Sequence, residues 1–352
     1  MSDKILAVIV PSYNMEKYLP KCLGSLVVAS ELMERLEVLV VNDGSKDRTS
    51  EIAHEFAAKY PKTFRVIDKI NGNYGSCINA ALRAATGTFV KVLDADDSVD
   101  TTGLHEFILF LLELERFSKV DVVFSDYVTV NESGAVLATN VYPFSTDEVF
   151  GMDKIADSAS TMAMHAIAYR TENLRAIGYH QSEGMSYTDT EWCFEPMSTV
   201  STARYFSKVV YRYLVGREGQ TVSIAATIRS YPMYLRLLNE LAVRYERMVL
   251  HLSADSTRYA QRYLDRIINQ VYLTCAKQMP IGRALRAFDD LDDIVCRKYP
   301  DQYRKYEQLT FSRLFKWRYV YGLRHYGWLR LFYLLTLRTY LGVVGVVVSL
   351  RK

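Results

Sequence analysis

A repeated strand–helix pattern in the first hundred residues constrains the fold more than any other feature of the sequence. Three short runs rich in Val, Ile and Leu each lead through polar turn residues into a segment with helical spacing. These runs occupy residues 5–10, 36–41 and 64–67. The helical segments that follow them cover residues 16–26, 49–59 and 76–85. Such alternation predicts an α/β fold with a doubly wound, mostly parallel sheet and helices on both faces.

A fourth apolar run, residues 89–93, ends in three carboxylates: Asp94, Asp96 and Asp97. Alternate residues of a strand point the same way, so Asp94 and Asp96 are expected to project together. Carboxylate oxygens at this spacing suit Mg²⁺ or Mn²⁺, with substrate phosphates completing the coordination. A solvated acidic turn is the alternative, because Asp is common in turns.

Two other polar clusters follow predicted strands, namely the turn that contains Asp43 and the Gly-rich loop that contains Gly75. In doubly wound sheets, ligands bind beyond the carboxyl ends of the strands. The sequence therefore predicts that both clusters and the acidic run converge on one crevice.

Five short motifs occur in order along the chain. They are V-I-V-P-S-Y-N at 8–14, V-V-N-D-G-S at 40–45, an Asn/Gly-rich stretch at 71–79, L-D-A-D-D at 93–97 and Y-T-D-T-E-W at 187–192. In this order and spacing the chain resembles glycosyltransferase family 2, whose nucleotide-sugar-binding fold is called GT-A. The resemblance covers a little over half of the chain, and it implies an inverting sugar transferase.

The resemblance places the nucleotide at the ends of the first two strands. The loop with Pro11, Ser12 and Tyr13 would lie against the base, and Asp43 would accept a hydrogen bond from the uracil N–H. This interaction favours UDP over other nucleotides. Asp43 also has a structural alternative, since Asp before Gly44 commonly forms an Asx turn.

The resemblance also assigns residues to the donor sugar and its diphosphate. Gly75 and Asn79 would approach the donor, with an Asn packed inside a helix as the alternative for Asn79. Asp94 and Asp96 would hold the ribose or sugar edge, and Ala95 is also assigned to donor binding. Asp94 and Asp96 would hold Mn²⁺ or Mg²⁺, with Asp96 preferred as the direct ligand, and the metal would neutralise charge on the departing UDP.

Many family members carry an Arg immediately before the Asn of the Gly-loop helix, whereas this chain has Ile78. Another cation is therefore expected at the diphosphate, and the candidates are Lys69, Lys91 and Arg217. Arg217 is preferred because a guanidinium can bind phosphate oxygens in two places. A salt bridge with Glu218 is its alternative role.

The Y-T-D-T-E-W motif resembles the acidic motif that supplies the catalytic base in this family. Asp189 would remove a proton from the acceptor hydroxyl, and a single displacement would invert the anomeric centre. Glu191 is the alternative base. Otherwise Glu191 and Trp192 are expected on the acceptor side or behind the base. His165 is assigned to the acceptor side, with a buried core residue as the alternative. Asp189 also suits the first turn of a helix.

Three domains are predicted: a catalytic domain at 1–225, a helical domain at 226–307 and a basic aromatic tail at 308–352. The tail has eight Lys and Arg residues, no Asp or Glu, and interleaved Trp and Tyr residues. This pattern predicts attachment to an anionic membrane surface. Its apolar run at 340–350 is too short to span a bilayer. An oligomer interface is the alternative, and no nucleic-acid partner is expected.

Five scattered cysteines and the lack of a secretory signal before the first strand predict a cytoplasmic protein. The expected function is transfer of a hexose or N-acetylhexosamine from UDP to a glycan in surface polysaccharide synthesis. By analogy with the family, this acceptor glycan would be lipid-linked, and the reaction would take place at the inner face of the cell membrane. Two other functions are the alternatives. A nucleotidyltransferase usually has a Gly- and basic-rich phosphate loop after the first strand, and residues 11–14 have neither feature. A non-catalytic nucleotide- or glycan-binding protein would need no catalytic base, and the presence of Asp189 argues against it.

Overall fold

The computed structural model describes residues 4–158, 162–216 and 224–301, together with residues 304, 335 and 339. Its strands are β1 (Leu6–Ser12), β2 (Leu36–Asn42), β3 (Phe64–Asp68), β4 (Phe89–Val92), β5 (Ser98–Val99), β6 (Val122–Val130), β7 (Val136–Asn140), β8 (Ile167–Arg170) and β9 (Ala203–Leu214). Its helices are α1 (Leu19–Ser25), α2 (Ser30–Met33), α3 (Thr49–Lys59), α4 (Asn73–Ala84), α5 (Thr101–Phe117), α6 (Met152–Asp157), α7 (Thr171–Ala176), α8 (Asp189–Ser198), α9 (Ile224–Met248), α10 (Ala254–Gln278) and α11 (Ile281–Lys298). Short 3₁₀ helices cover Met164–Ala166 and Val249–His251.

The predicted strand–helix repeats form the parallel half of the sheet, in the order β3-β2-β1-β4. Every residue of β1 and β2 is buried, because neighbouring elements cover both faces of these strands. Their carboxyl ends therefore meet at one edge, as expected for a doubly wound sheet.

The other half of the sheet makes the whole sheet mixed. β8 pairs antiparallel with β4 and with β6, while β6 pairs parallel with β9. β5 and β7 are antiparallel additions to β9 and β6. The predicted α/β fold class is confirmed. Because β8 runs antiparallel to β4, the residues that precede β8 lie beside the acidic carboxyl end of β4.

Helix α5 packs beside β9 through a glycine. The side chain of Asp100 caps the helix by accepting a hydrogen bond from Gly103 N at 2.9 Å. A Cβ atom added at Gly103 would lie only 1.9 Å from Val209 O. The helix can approach the strand this closely only because position 103 has no side chain.

The chain divides into two compact units, which we describe separately. The first comprises Met1–Gln220 with His251–Tyr259 and contains the sheet. The second comprises Thr221–Leu250 with Ala260–Lys352. Within the second unit, the Tyr299 hydroxyl donates to Leu238 O and the Tyr231 hydroxyl donates to Ala287 O, joining α9 to the chain around α11.

Most of the predicted tail, residues 308–352, lies outside the described residues. Among the residues that the structure describes, we find no helix with both the length and the apolar character needed to cross a membrane.

Replacing Gly103 with Ala should destabilise the protein, because the added methyl group would overlap a main-chain carbonyl that cannot easily move. We expect a loss of about 1–3 kcal/mol in the free energy of unfolding, measured by guanidine denaturation. Gly24→Ala is the matched control, since a Cβ there meets nothing within 4 Å. Alanine at this exposed helical position should raise stability by about 0.5–1 kcal/mol. Equal effects of the two substitutions would contradict the close α5–β9 packing.

Candidate active site

The loop after β1 forms one rim of the candidate site. Pro11 and Ser12 are the buried end of the strand, whereas Tyr13 is 46% exposed. Asn14 adopts a left-handed conformation (φ 54°), and its main-chain N–H donates to Ser45 Oγ at 3.0 Å. The loops after β1 and β2 are therefore joined, and Tyr13 is the predicted base-binding residue whose side chain reaches solvent.

Asp43 is buried and holds the Gly-rich loop. Its Oδ1 accepts hydrogen bonds from Lys69 Nζ at 2.6 Å and from Gly72 N at 2.9 Å. Its Oδ2 accepts one from Asn73 N at 2.9 Å. A carboxylate oxygen can accept more than one hydrogen bond. The structural role is realised, and it leaves capacity for the predicted uracil contact.

Gly75 and Asn79 face the segment 178–188 that precedes α8. A Cβ atom at Gly75 would lie 2.1 Å from Ser182 O. The buried Asn79 side chain accepts from Gln181 N at 2.8 Å and donates to Gln181 O at 2.8 Å. The alternative packing role of Asn79 is thus present, and donor contact by these two residues stays a prediction.

The acidic end of β4 is fixed by two tyrosines. The Tyr74 hydroxyl donates to Asp94 Oδ1 at 2.8 Å. The Tyr211 hydroxyl accepts from Asp94 N at 3.2 Å and donates to Asp97 Oδ2. Leu214 N donates to Asp97 Oδ1 at 2.7 Å. Asp94 and Asp97 are thereby held in fixed orientations by residues from α4 and β9.

The acidic cluster can accommodate a cation. Burial, together with the negative charges of Asp94 and Asp96, raises the pKa of Asp97 well above its usual range. Of the described His, Cys, Asp and Glu side chains, one group, Asp94, Asp97 and His165, places its ligand atoms within 4.8 Å of one another. Asp96 lies outside this group, and Ala95 is buried beside it. The predicted direct role of Asp96 stays a prediction.

His165 has the protonation state that a metal ligand needs. Burial and the charge of Lys91 lower the pKa of His165 to about 3, so its ring is neutral. Its Nδ1 is buried without a hydrogen-bond partner among the described residues. The ring packs against those of Tyr213, Tyr211 and Tyr127, with centroid distances of 4.4, 4.7 and 5.1 Å. Two carboxylates and a neutral imidazole fit a divalent transition ion such as Mn²⁺.

Asp189 begins α8, with Thr188 as the N-cap residue, and it is exposed to solvent. Surrounding protein atoms nevertheless partly desolvate its carboxylate and raise its pKa. Burial raises the pKa of Tyr74 and Tyr213, and the charges of Asp94 and Asp189 raise both further. Since both hydroxyls sense both carboxylates, the structure brings Asp189 within electrostatic reach of the acidic cluster.

Glu191 and Trp192 lie behind Asp189. The buried Glu191 carboxylate accepts from Ser182 N at 2.8 Å. The buried Trp192 ring packs edge-on against Tyr169 and Tyr179, with centroid distances of 5.2 and 5.8 Å. These positions favour support of Asp189 over contact with an acceptor.

The structure describes two of the three candidate cations for the diphosphate. Lys69 Nζ is bonded to Asp43, and it also donates to Ser76 Oγ at 2.8 Å. Lys91 is 1% exposed and donates to His165 O, and burial lowers its pKa to about 7. Arg217 lies outside the described residues.

The sequence prediction missed two roles, the grouping of Asp97 with Asp94 and the contacts of Tyr74 and Tyr211. Asp97 was visible as the third carboxylate of the acidic run. The tyrosines carried no comparable signal, because the chain has 26 of them.

Comparison with known proteins decides the family. The model described as glycosyl transferase family 2 matches residues 7–178, which include β1 to β4, Asp43 and the acidic cluster. Residues 7–178 form a glycosyl transferase family 2 domain. The predicted family is confirmed.

Curated relatives match parts of the chain. An uncharacterized glycosyltransferase of Mycoplasma pneumoniae, an MG025 homolog, is 39% identical over 26% of this chain and 31% of that protein. The minor teichoic acid biosynthesis protein GgaB of Bacillus subtilis is 34% identical over 33% of this chain and 13% of that protein. The chain thus matches about a third of the first relative's length and less of the second's.

A solved structure shows the same fold over most of the chain. Residues 1–349 of S. aureus TarS, in complex with UDP-GlcNAc, superpose with a TM-score of 0.52 at 21% identity. The superposition covers 86% of this chain and 92% of that one. At this identity the likeness shows the GT-A fold.

Tyr211→Phe should weaken Mn²⁺ binding, because it removes the hydroxyl that orients both Asp94 and Asp97. We expect roughly a tenfold loss of affinity by isothermal titration, the scale found when groups that support metal ligands are removed. Tyr205→Phe is the matched control, since that hydroxyl also donates to a buried carboxylate, Asp126, at 2.6 Å and accepts from Tyr142 N. Both variants should lose similar stability. Equal Mn²⁺ affinities would argue against the cluster as the cation site.

Proposed function

We propose that this family 2 chain is a metal-dependent inverting glycosyltransferase that moves a hexose or N-acetylhexosamine from UDP to a glycan acceptor. The observation that carries the proposal is the meeting of three features at one edge of the sheet. These are the loop held by Asp43, the group formed by Asp94, Asp97 and His165, and the carboxylate of Asp189.

The donor site would lie at the ends of β1 and β2. Tyr13 would offer its exposed ring to the uracil face, and Asp43 Oδ2 would accept the uracil N–H. The complex of S. aureus TarS with UDP-GlcNAc supports a uridine donor, because TarS has the same fold. Gly75, Asn79 and Ala95 would shape the wall beside the donor, and Arg217 would bind its diphosphate.

Asp94, Asp97 and His165 would hold Mn²⁺ or Mg²⁺, with Asp96 beside them as further negative charge. When bound, the ion would neutralise charge on the departing UDP. Tyr74 and Tyr211 keep the carboxylates oriented for this task, and Lys91 keeps the His165 turn in place by donating to its carbonyl.

Asp189 would act as the general base. It would take the proton of an acceptor hydroxyl while that oxygen forms a bond to the anomeric carbon and the bond to the UDP oxygen breaks. Attack opposite the leaving group inverts the centre, so an α-linked donor gives a β-linked product. Glu191 and Trp192 would hold the base from behind.

The acceptor is proposed to be a glycan of a cell-surface polysaccharide. The relative GgaB, which takes part in minor teichoic acid biosynthesis, supports this class of product. A lipid-linked acceptor at the inner face of the cell membrane would agree with a basic aromatic tail that binds anionic lipid. Homo-oligomerisation through the tail is the competing proposal for that segment.

The donor can be identified by incubating the purified protein and Mn²⁺ with a panel of nucleotide sugars. Slow hydrolysis without acceptor should release UDP from one uridine donor and leave GDP- and dTDP-sugars intact. Release of GDP or dTDP in place of UDP would refute the uridine assignment.

Asp189→Asn should slow transfer strongly while leaving UDP affinity unchanged. We expect kcat to fall by on the order of 10²–10⁴-fold, the usual contribution of a general base. In the wild type, kcat/KM should fall as pH decreases through the raised pKa of Asp189, because only the ionised carboxylate accepts a proton. Asp153→Asn is the control, since it also removes an acid from the first turn of a helix. A variant at position 189 that keeps most of its rate would refute the base assignment.

Truncation after Glu307 should abolish binding to anionic vesicles, because it removes eight basic residues and the interleaved aromatic residues. In liposome flotation, the full chain should float with phosphatidylglycerol vesicles. It should remain at the bottom of the gradient when it is mixed with neutral vesicles. Raising the salt concentration should weaken the interaction. If the truncated chain floats as well as the full chain, the tail is not the lipid-binding segment.

A further inference from the structure

The segment 178–188, between α7 and α8, is locked onto α4 by one buried amide side chain. Asn79 Oδ1 accepts from Gln181 N at 2.8 Å. Asn79 Nδ2 donates to Gln181 O at 2.8 Å and to Glu183 Oε1 at 2.8 Å. Both main-chain polar groups of Gln181 are thus bound by a single residue of α4, which fixes position 181 along the helix.

The same segment contacts the Gly-rich loop. Gly184 N donates to Gly72 O at 2.9 Å. Ser182 O lies so close to Gly75 that a Cβ atom there would be 2.1 Å away. Since Gly72 N is in turn bonded to Asp43, the segment and the proposed uridine-binding carboxylate hold opposite sides of one short loop.

The Gln181 side chain extends from this anchored main chain to the start of α8. It is completely buried, and its Nε2 donates to Thr188 O at 2.6 Å, while its Oε1 accepts from the Tyr179 hydroxyl at 3.3 Å. Thr188 immediately precedes Asp189. Tyr187, one residue earlier, has a left-handed conformation (φ 67°), which a bulky residue keeps only when its surroundings impose it.

We propose that Gln181 is a positioning residue that sets the location of Asp189 relative to the donor loop. Its main chain is fixed to α4 by Asn79, and its side chain fixes the carbonyl before the base. The proposal rests on the proposed role of Asp189 and adds a residue that never touches substrate. A displacement of about 1 Å in a reacting group can lower a rate by on the order of 10²-fold, so this single hydrogen bond can matter for catalysis.

Gln181→Met keeps the length and volume of the side chain but removes its N–H donors. We expect kcat to fall by roughly 10- to 100-fold, because the base is no longer held at its working position. The affinity for Mn²⁺ and UDP, measured by titration, should stay within about twofold, which separates a positioning loss from a binding loss. Ser186→Ala, an exposed residue of the same segment, is the matched control and should keep the wild-type rate.

Gln181→Glu separates a positioning role from a general structural role, because only the positioning role predicts a pH-dependent effect on kcat. The ionised carboxylate would repel Thr188 O, whereas the protonated form can donate a hydrogen bond to it. The ratio of the variant's kcat to that of the wild type should therefore rise as pH falls. A ratio that does not change with pH, or parallel losses of kcat and UDP affinity in Gln181→Met, would overturn the proposal.

Amide hydrogen exchange tests the same claim without any transferase activity. In Gln181→Met, the peptide that covers the start of α8 should exchange faster than in the wild type, while α4 should keep its wild-type protection. Unchanged exchange at the start of α8 would overturn the proposal. If exchange rises there but the wild type transfers no sugar, the function proposed above fails and the structural link from Gln181 to Asp189 stands.

Discussion

The parallel pairing of β1 with both β2 and β4 is the constraint on which the candidate site depends. Because these three strands run in one direction, their carboxyl ends lie at the same edge of the sheet. The residues that leave those ends are Tyr13, Asp43 and Asp94, from three separate parts of the sequence. Reversal of one strand would send its polar residue to the opposite edge. The hydrogen bonds of the site refine an arrangement that the strand directions have already set.

Much of this could be predicted, because its causes are local in sequence. The apolar runs and polar turns identified β1 to β4 to within a few residues, and the motif order identified the family. The antiparallel half was harder to predict. β8 lies between β4 and β6, and such a long-range pairing leaves no periodic signal near residue 167. Since His165 is placed by that pairing, its position beside Asp94 and Asp97 could not be derived from its neighbours in the chain.

Prediction from sequence was also incomplete for residues that can have both a structural and a ligand-binding role. Asp43 and Asn79 were assigned to the donor, and each is engaged by neighbouring main-chain groups in the structure. Sequence alone cannot separate the two roles, since one carboxylate or amide offers several lone pairs or protons to different partners. For Asp43 the two roles are compatible, because a carboxylate that orders a loop can keep a lone pair for a ligand.

The electrostatics of the site explain why its scaffold must be rigid. Burial and like charges oppose ionisation of Asp97, and burial opposes ionisation of Lys91. Below pH of about 7 the folded chain must carry a charged, buried Lys91, and this penalty disappears only as pH rises toward the ordinary lysine pKa. These unfavourable terms persist because the sheet and the buried tyrosines around them contribute more stability than the charges remove. A cation beside Asp94 and Asp97 would relieve the repulsion among the carboxylates.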